Sequence, residues 1–323
     1  MHLSISEARE LSEGVLARHG YSENDARLIT DVIVEAHLWG RPLSGMRHLL
    51  QIVERAKDKD RGTIRVVSED DHSALIDAEN NPGFLASNYA IRLAMAKARK
   101  SGVAVVGVRR SFLGGINGYY VSLAAREDLI ALMSVSGGSR VAPWGGIDPV
   151  FGTNPLAVAV PTLNDPVIFD MTTAATNVGH LQTAARLGEP LPAGLAIDNN
   201  GEPTTDPARA LQGAILPFGE HKGFGLAFVI QCLGILVGGD IAPQGMKDFG
   251  YFFLVIDPGM FMRVQDYKAR VTELVRRVRQ SRTRAGEASV RVPGERSLRE
   301  RARRQVEGID LDDRTYAELL RLR

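Results

Sequence analysis

Residues Val103 to Val135 read VAVVGVRRSFLGGINGYYVSLAAREDLIALMSV, and the fold class turns on them. The run Val103 to Val108 is apolar and rich in valine, the composition of a strand buried on both faces. A glycine-rich loop, Leu113 to Gly118, leads into a helical stretch over 119–127, and a second apolar strand runs from Leu129 to Val135. Such a strand–loop–helix–strand unit would open a dinucleotide fold if the loop carried G-x-G-x-x-G directly after the strand; it does not, and G-x-x-x-x-G-K-[ST] occurs nowhere in the chain. The loop either turns its amides toward an anion at the helix N-terminus or makes a tight turn that needs φ > 0. Both readings stay open.

Outward from this stretch the elements mix without a βαβ rhythm, which favours α+β over a doubly wound sheet. Toward the N-terminus the spacing predicts helices over 4–20, 22–39, 46–57 and 84–101, with a strand pair within 63–77. Toward the C-terminus it predicts strands at Leu156–Val160, Val167–Asp170 and Tyr251–Ile256. Helices are expected over 173–187, 221–237, 264–284, 297–306 and 312–322. The Pro-, Gly-, Asn- and Asp-rich stretch 188–213 reads as a long connection with turns. No internal repeat is visible.

The 323 residues carry 39 Lys+Arg against 38 Asp+Glu, a net charge of +1, so there is no global pull toward nucleic acid or an acidic membrane. A single cysteine, Cys232, excludes an intramolecular disulfide framework and a Cys-rich zinc site. None of the seven histidines sits at i, i+4 with a carboxylate partner, so no metal is expected. The first residues lack a basic and then apolar leader, and the longest apolar stretch, Gly223 to Gly238, is glycine-rich and interrupted by Gln231. The expectation is a soluble cytoplasmic enzyme. His221-Lys222 opens a predicted helix, where two cations oppose the helix dipole unless an anion binds nearby. Asp170 ends a strand just before a predicted helix, as an N-cap or as a hook for a ligand. The arginines between Arg270 and Arg304 have few interleaved aromatics and read as a solvated face rather than a nucleic-acid site.

Several stretches together resemble the type-2 malate/L-lactate dehydrogenase family: Val141-Ala142-Pro143-Trp144-Gly145-Gly146, Phe151-Gly152-Thr153-Asn154-Pro155-Leu156, Phe169-Asp170-Met171-Thr172, Leu187-Gly188-Glu189-Pro190, Thr204-Thr205-Asp206-Pro207, Leu216-Pro217-Phe218-Gly219 with His221-Lys222-Gly223, and Pro293-Gly294-Glu295. Their order and spacing match over nearly the whole chain. The resemblance implies an α+β fold with a mainly antiparallel sheet that binds NAD(P)H in a non-Rossmann manner, a small carboxylate substrate, and a homodimer with the active site near the subunit interface. It implies a helical part over 1–75, packed with a second over 261–323 and carrying the dimer contact, around a central cofactor-binding sheet domain over 76–260. The cofactor contacts it implies are Ser136, Gly152, Asp170, Met171, Thr172, Thr173, His221, Lys222 and the Gly294-Glu295-Arg296 turn. Substrate contacts are Arg47, His48, Leu113, Tyr119, Thr153 and Asn154.

The chain departs from the family where protons move. The family pattern R-G-x-x-S-H-G-x-x-R aligns with Trp39-Gly40-Arg41-Pro42-Leu43-Ser44-Gly45-Met46-Arg47-His48, so Ser44 stands for the histidine and His48 for the arginine that holds substrate carboxylate, with Arg47 beside it. In the N-S-x-H-x-G loop, Leu113 replaces a second histidine, and the R-G-K after the Asp-Met stretch is Val178-Gly179-His180. Ser44, His180 and Asp170 are the remaining catalytic candidates, Asp170 as the orienter of His180 or a nicotinamide contact. Reducing a ketone to an alkoxide-like state draws on general acid catalysis, worth about 10²–10⁴-fold, whereas an iminium nitrogen is already protonated. The replacements therefore favour a 2-imino carboxylate. The alternative from another class is a catalytically silent member that binds NAD(P) or a partner.

Overall fold

Ser4 and Glu7 form a reciprocal capping box, each side chain bonding the other's backbone, at the head of α1 (Ile5–Arg18), just after a two-residue strand β1 (His2–Leu3). Ser22 caps α2 (Glu23–Leu38) in the same region of backbone space. The computed structural model describes residues 1–58 and 60–323. A single 3₁₀ turn, Pro42–Ser44, precedes α3 (His48–Ala56); then come β2 (Arg65–Glu69) and β3 (Ser73–Asp77), the strand pair expected within 63–77. α4 (Gly83–Ser101), β4 (Val103–Ser111), α5 (Asn117–Arg126) and β5 (Ile130–Ser136) are the elements read from the opening stretch and the helix before it.

Next come β6 (Leu156–Val160) and β7 (Val167–Met171). α6 (Val178–Leu187) starts five residues later than its apolar spacing suggested. Thr172 and Thr173 are spent on the carbonyl of Thr153, and Asn177 is the residue that caps the helix. The stretch read as a long connection contains β8 (Ala196–Ile197), β9 (Pro203–Thr204), α7 (Pro207–Gln212) and β10 (Ala214–Ile215). These form a small three-stranded sheet of order β10-β8-β9 with its own helix. Two-residue strands are too short to show a period. The chain closes with α8 (His221–Leu236), β11 (Phe249–Ile256), α9 (Val264–Arg279), α10 (Glu295–Glu307), β12 (Ile309–Asp310) and α11 (Asp313–Leu322).

The large sheet has the order β2-β3-β4-β11-β5-β6-β7, and only β3 and β4 run parallel. This is a mixed α+β fold with a mostly antiparallel sheet. Tyr251 of β11 reaches the first residue of α4, while its neighbour Gly250 lies against Gly234 of α8. Successive strand residues point to opposite faces, so α4 and α8 cover opposite sides of the sheet. One apolar core runs from α1 and α2 through α4, α5 and the sheet to Leu319 of α11. β1 pairs with β12, and Arg301 of α10 grips Glu35 of α2 through both carboxylate oxygens. The expected boundary after residue 75 falls inside β3. A separate small core joins Val141 and Phe151 to α6, α7 and the small sheet through Leu181, Ala184, Ala210 and Ile215.

Candidate functional site

The loop Leu113–Gly118 resolves the choice left open by its sequence. Gly115 takes φ +76, where a side chain would collide with Phe84 and Val32. Two residues into α5, the amide of Gly118 donates to Asp170 Oδ2 at 2.9 Å. The loop is a tight turn, and the anion at its helix N-terminus is the protein's own carboxylate. Asp170, at the end of β7, also accepts from Arg41 Nη1 at 2.8 Å, and Arg41 Nη2 donates to the Asp170 carbonyl at 3.2 Å. The Asp170 side chain is 7% exposed and that of Arg41 33%. Burial pushes the Asp170 carboxyl up, and the Arg41 guanidinium and the Gly118 amide oppose the shift.

Arg41 also begins the turn that carries Ser44, whose amide donates to the Arg41 carbonyl. Gly45 follows with no room for a side chain, since one would strike the His37 ring. His37 Nε2 accepts from the amide of Met46 at 3.1 Å, and burial holds this imidazole down to a pKa of about 4. Arg47 donates to Thr183 Oγ1 and Gln182 Oε1 on α6, each at 3.2 Å. His48 packs edge-on to Phe84 with ring centroids 6.2 Å apart, and its Nδ1 is buried without a partner. Burial, then the Arg47 charge, then His37 push the His48 pKa down to about 4.

On α6, His180 Nδ1 lies 2.8 Å from Thr176 Oγ1, and Gly179 faces Leu43 of the Ser44 turn. The Ser44 turn and Arg47 thus lie against α6, the helix that carries His180, while His48 packs against Phe84 of α4. Asp170 does not orient His180: its partners are Arg41 and Gly118, and Thr176 does the orienting. Leu113 is partly buried against the main core. Tyr119 packs edge-on to Tyr120 at 5.4 Å, with its hydroxyl pushed up to about 12 by burial and then by Asp31 and Glu35 of α2.

The other expected contacts divide by access. Ser136 is fully buried beneath Gly234 and accepts from the Gly250 amide at 3.2 Å. Asn154 is also fully buried. It accepts from the Gly137 amide at 3.2 Å and donates to the Ala227 carbonyl and Gln231 Oε1, both at 3.0 Å. Thr173 is buried as well, with its hydroxyl on the carbonyls of Thr153 and Asn154. As the chain stands, these three side chains are closed to a ligand, and their place is to hold the end of β7 and the Gly152–Thr153 segment onto α8. Met171 and Thr172 are partly exposed beyond Asp170. His221 and Lys222 are exposed at the head of α8, His221 against the Trp144 ring at 5.7 Å.

Gly294 takes φ +84 with a Cβ position blocked by the Ile168 carbonyl, and Ile168 donates its amide to Pro293. The Gly294-Glu295-Arg296 turn therefore runs along the outer edge of β7, on the same strand as Asp170. The Glu295 carboxylate is taken up by Arg279, Arg299 and the Val292 amide. This turn borders a cleft of about 520 Å³ lined by Thr162, Thr272, Arg279, Leu298 and Arg299. A second cleft of about 450 Å³ lies between Tyr21, Arg55, Arg61 and Phe112. Neither contains Ser44 or His180.

Arg41 stood in the sequence as an unspecified position of the loop pattern, and neither it nor Thr176 was singled out. The only signal for Arg41 is its pairing with a residue 129 positions away, which a single sequence does not display. The exposed cations at the head of α8, with no carboxylate within ion-pair distance among the described residues, suit the phosphates of a dinucleotide. The close pass of Gly294 seats this turn directly against the edge of β7.

A mostly antiparallel mixed sheet with this order is not a doubly wound dinucleotide fold, and its solved counterparts are dehydrogenases, which sets the class as an oxidoreductase on a non-Rossmann sheet. The sequence profile of the malate/L-lactate dehydrogenase family matches residues 3–320, and the chain belongs to that family. It is 38% identical to the malate/(S)-sulfolactate dehydrogenase of Methanothermus fervidus over 99% of this chain and 96% of that one. It is 32% identical to the Delta(1)-pyrroline-2-carboxylate/Delta(1)-piperideine-2-carboxylate reductase of Pseudomonas putida over 100% and 97%. The sulfolactate dehydrogenase structure from Methanocaldococcus jannaschii superposes with a TM-score of 0.91 at 33% identity, over 100% of this chain and 96% of that one.

Proposed function

We propose that the chain reduces the C=N bond of a small cyclic 2-imino carboxylate in preference to the C=O bond of a 2-oxo acid, with NADH or NADPH as hydride source. The observation that carries this reading is the pair of replacements at the proton-handling positions: Ser44 on the turn beside α6 and Leu113 against the core. When bound, the nicotinamide supplies hydride to the 2-carbon. With an iminium substrate the nitrogen already holds its proton, so hydride addition yields the amine directly. With a ketone the developing alkoxide needs a proton, and a serine hydroxyl is a poor acid. Ser44 then serves as a hydrogen-bond partner to the reacting heteroatom, Arg47 holds the carboxylate, and Leu113 gives the ring an apolar wall. The Pseudomonas putida relative, named as a reductase of pyrroline and piperideine carboxylates, supports this choice.

One observation favours a second reading. His180 is fixed through Nδ1 by Thr176 beside the Ser44 turn, a histidine held where it can give a proton to a ketone. Steady-state rates of the purified enzyme on cyclic imino acids, pyruvate and oxaloacetate test both. Imine turnover that survives His180→Ala is expected. Pyruvate or oxaloacetate turnover far above that of any imine, abolished by His180→Ala, would replace the first reading with the second. Cofactor binding without turnover of any substrate would leave a silent binder.

The reading extends to a cytoplasmic homodimer. Apart from Lys222, α8 carries no charged residue, and Phe228, Val229 and Leu236 are 54%, 55% and 73% exposed, with the exposed Trp144 ring against His221 at the head of the helix. An apolar surface of this kind marks an interface, and a second copy of the chain is its occupant. The unpaired Cys232 suits a reducing compartment.

A further inference from the structure

We infer that Arg41 is a positioning residue for the reaction: it ties down one oxygen of Asp170 and thereby leaves the other, Oδ1, as the hydrogen-bond acceptor that the end of β7 presents to a bound ligand. The inference rests on the preceding reading of the chain as a hydride-transferring enzyme and on the family resemblance, which puts Asp170 among the cofactor contacts.

The two oxygens of Asp170 are used unequally. Oδ2 accepts from Arg41 Nη1 at 2.8 Å and from the Gly118 amide at 2.9 Å, and Arg41 Nη2 adds a bond to the Asp170 carbonyl at 3.2 Å. Oδ1 carries no hydrogen bond among the described residues and is not sealed from solvent, so the 7% exposure of this side chain includes it. Two donors on one oxygen, and two bonds from one guanidinium to one residue, leave the carboxylate a single orientation. Arg41 is itself held on both sides: its amide donates to the Ala36 carbonyl at 2.8 Å, and its carbonyl accepts from the Ser44 amide at 3.0 Å. The residue that begins the Ser44 turn therefore also fixes a carboxylate 129 positions away. The family pattern leaves position 41 unspecified, so this link is not part of the motif.

Arg41 is also what keeps Oδ1 an acceptor. Burial pushes the Asp170 carboxyl up, and the Arg41 charge, the Gly118 amide and the Arg41 hydrogen bond hold it back. Among the described residues no other charged group bears on it. α5 supplies a backbone amide, the Trp39 ring lies against Gly118 beside it, and its register partner on β6 is Ala157. Without Arg41 the carboxyl would take up a proton at higher pH, and a protonated carboxyl is free to turn an O–H outward in place of a lone pair.

The dependence of kcat/KM on pH, with whichever imino or oxo acid the wild type reduces, tests the role. In Arg41→Gln the acid limb is expected about 1 pH unit or more above that of the wild type. In Arg41→Lys, which restores the charge, it is expected close to the wild type. Loss of fold alone lowers the amount of active enzyme at every pH and leaves the limb where it was. Carbon-13 NMR of enzyme labelled at the aspartate carboxyls, with the Asp170 signal identified by its loss in Asp170→Asn, reads the same displacement without turnover. An Asp170 titration that Arg41→Gln does not move overturns the proposal, and so does an acid limb that stays in place while turnover persists. Should Arg41→Gln fail to fold, Asp170→Asn decides. Arg41 and Gly118 then keep the amide oxygen inward and turn the NH₂ outward, so kcat/KM is expected to fall about tenfold or more, and undiminished turnover overturns the proposal. If no substrate is turned over, the preceding reading fails and the carbon-13 titration alone decides this one. A preference for 2-oxo acids over imines removes the imine reading and leaves the role of Arg41 standing.

Discussion

Asp170 is a carboxylate withdrawn from water and kept there by two partners, a guanidinium and a helix-terminal amide. Removing one partner of such a pair costs more than the pair itself contributes, because the remaining charge is stranded. Arg41→Gln is expected to lower the unfolding free energy by roughly 2–4 kcal/mol, the lower part of that range reflecting the one-third exposure of Arg41. The double variant Arg41→Gln with Asp170→Asn should recover part of the loss, since no stranded charge remains. Urea unfolding of both variants measures the difference, and a double variant weaker than Arg41→Gln alone would contradict this account. The sequence marked Asp170 as a cap or a hook without showing which. The structure makes it the partner of a residue from a distant loop, information that exists only once the chain has folded.

At the scale of elements, the turn between α2 and α3 is a small device of matched parts. His37 accepts from Met46, and Gly45 leaves the space that the imidazole fills. Burial lowers His37 from its ordinary pKa of 6.5 to about 4, so on acidification the unfolded chain takes up this proton first. Its contribution to stability is complete above about pH 6.5 and is lost as the pH falls toward 4. The loss is at most roughly 3 kcal/mol, from 1.36 kcal/mol per pKa unit. Denaturant midpoints measured between pH 7.5 and 4.5 should fall more steeply for the wild type than for His37→Gln. Equal slopes would show that His37 is not the group responsible.

What the sequence disclosed at this scale followed length and period. α4 spans 19 residues and repeats its apolar positions five times over, so it is legible. β8, β9 and β10 are two residues each and stand up only because they pair with one another. α6 begins late because threonine side chains claimed the residues before it, a competition that periodicity does not register. The family motifs marked stretches near β7 and α8, but they did not distinguish exposed side chains from those, like Ser136 and Asn154, that are buried and brace the backbone.

For the whole molecule, the two faces of the sheet are unequal. α4 and α5 bury theirs within the main core, while α8 shows Phe228, Val229 and Leu236 to solvent. If a second copy covers this face, sedimentation should give twice the chain mass, and Phe228→Glu combined with Leu236→Glu should yield a folded monomer. A wild-type monomer at micromolar concentration would remove the homodimer. Because His221 and Lys222 head the same helix, the monomeric variant is also expected to bind cofactor more weakly.

The outer border of β7 is sealed by Pro293, whose carbonyl takes the amide of Ile168 from about 125 residues upstream. A ribosome adding 5–20 residues per second would leave that border bare for roughly 6–25 s before its seal emerges. During that interval a raw strand edge is free to join a neighbouring nascent chain. The strand that carries Asp170 is therefore also the place where crowded synthesis is most apt to go astray, and growth at lower temperature or with added holdase chaperones should improve recovery of native enzyme.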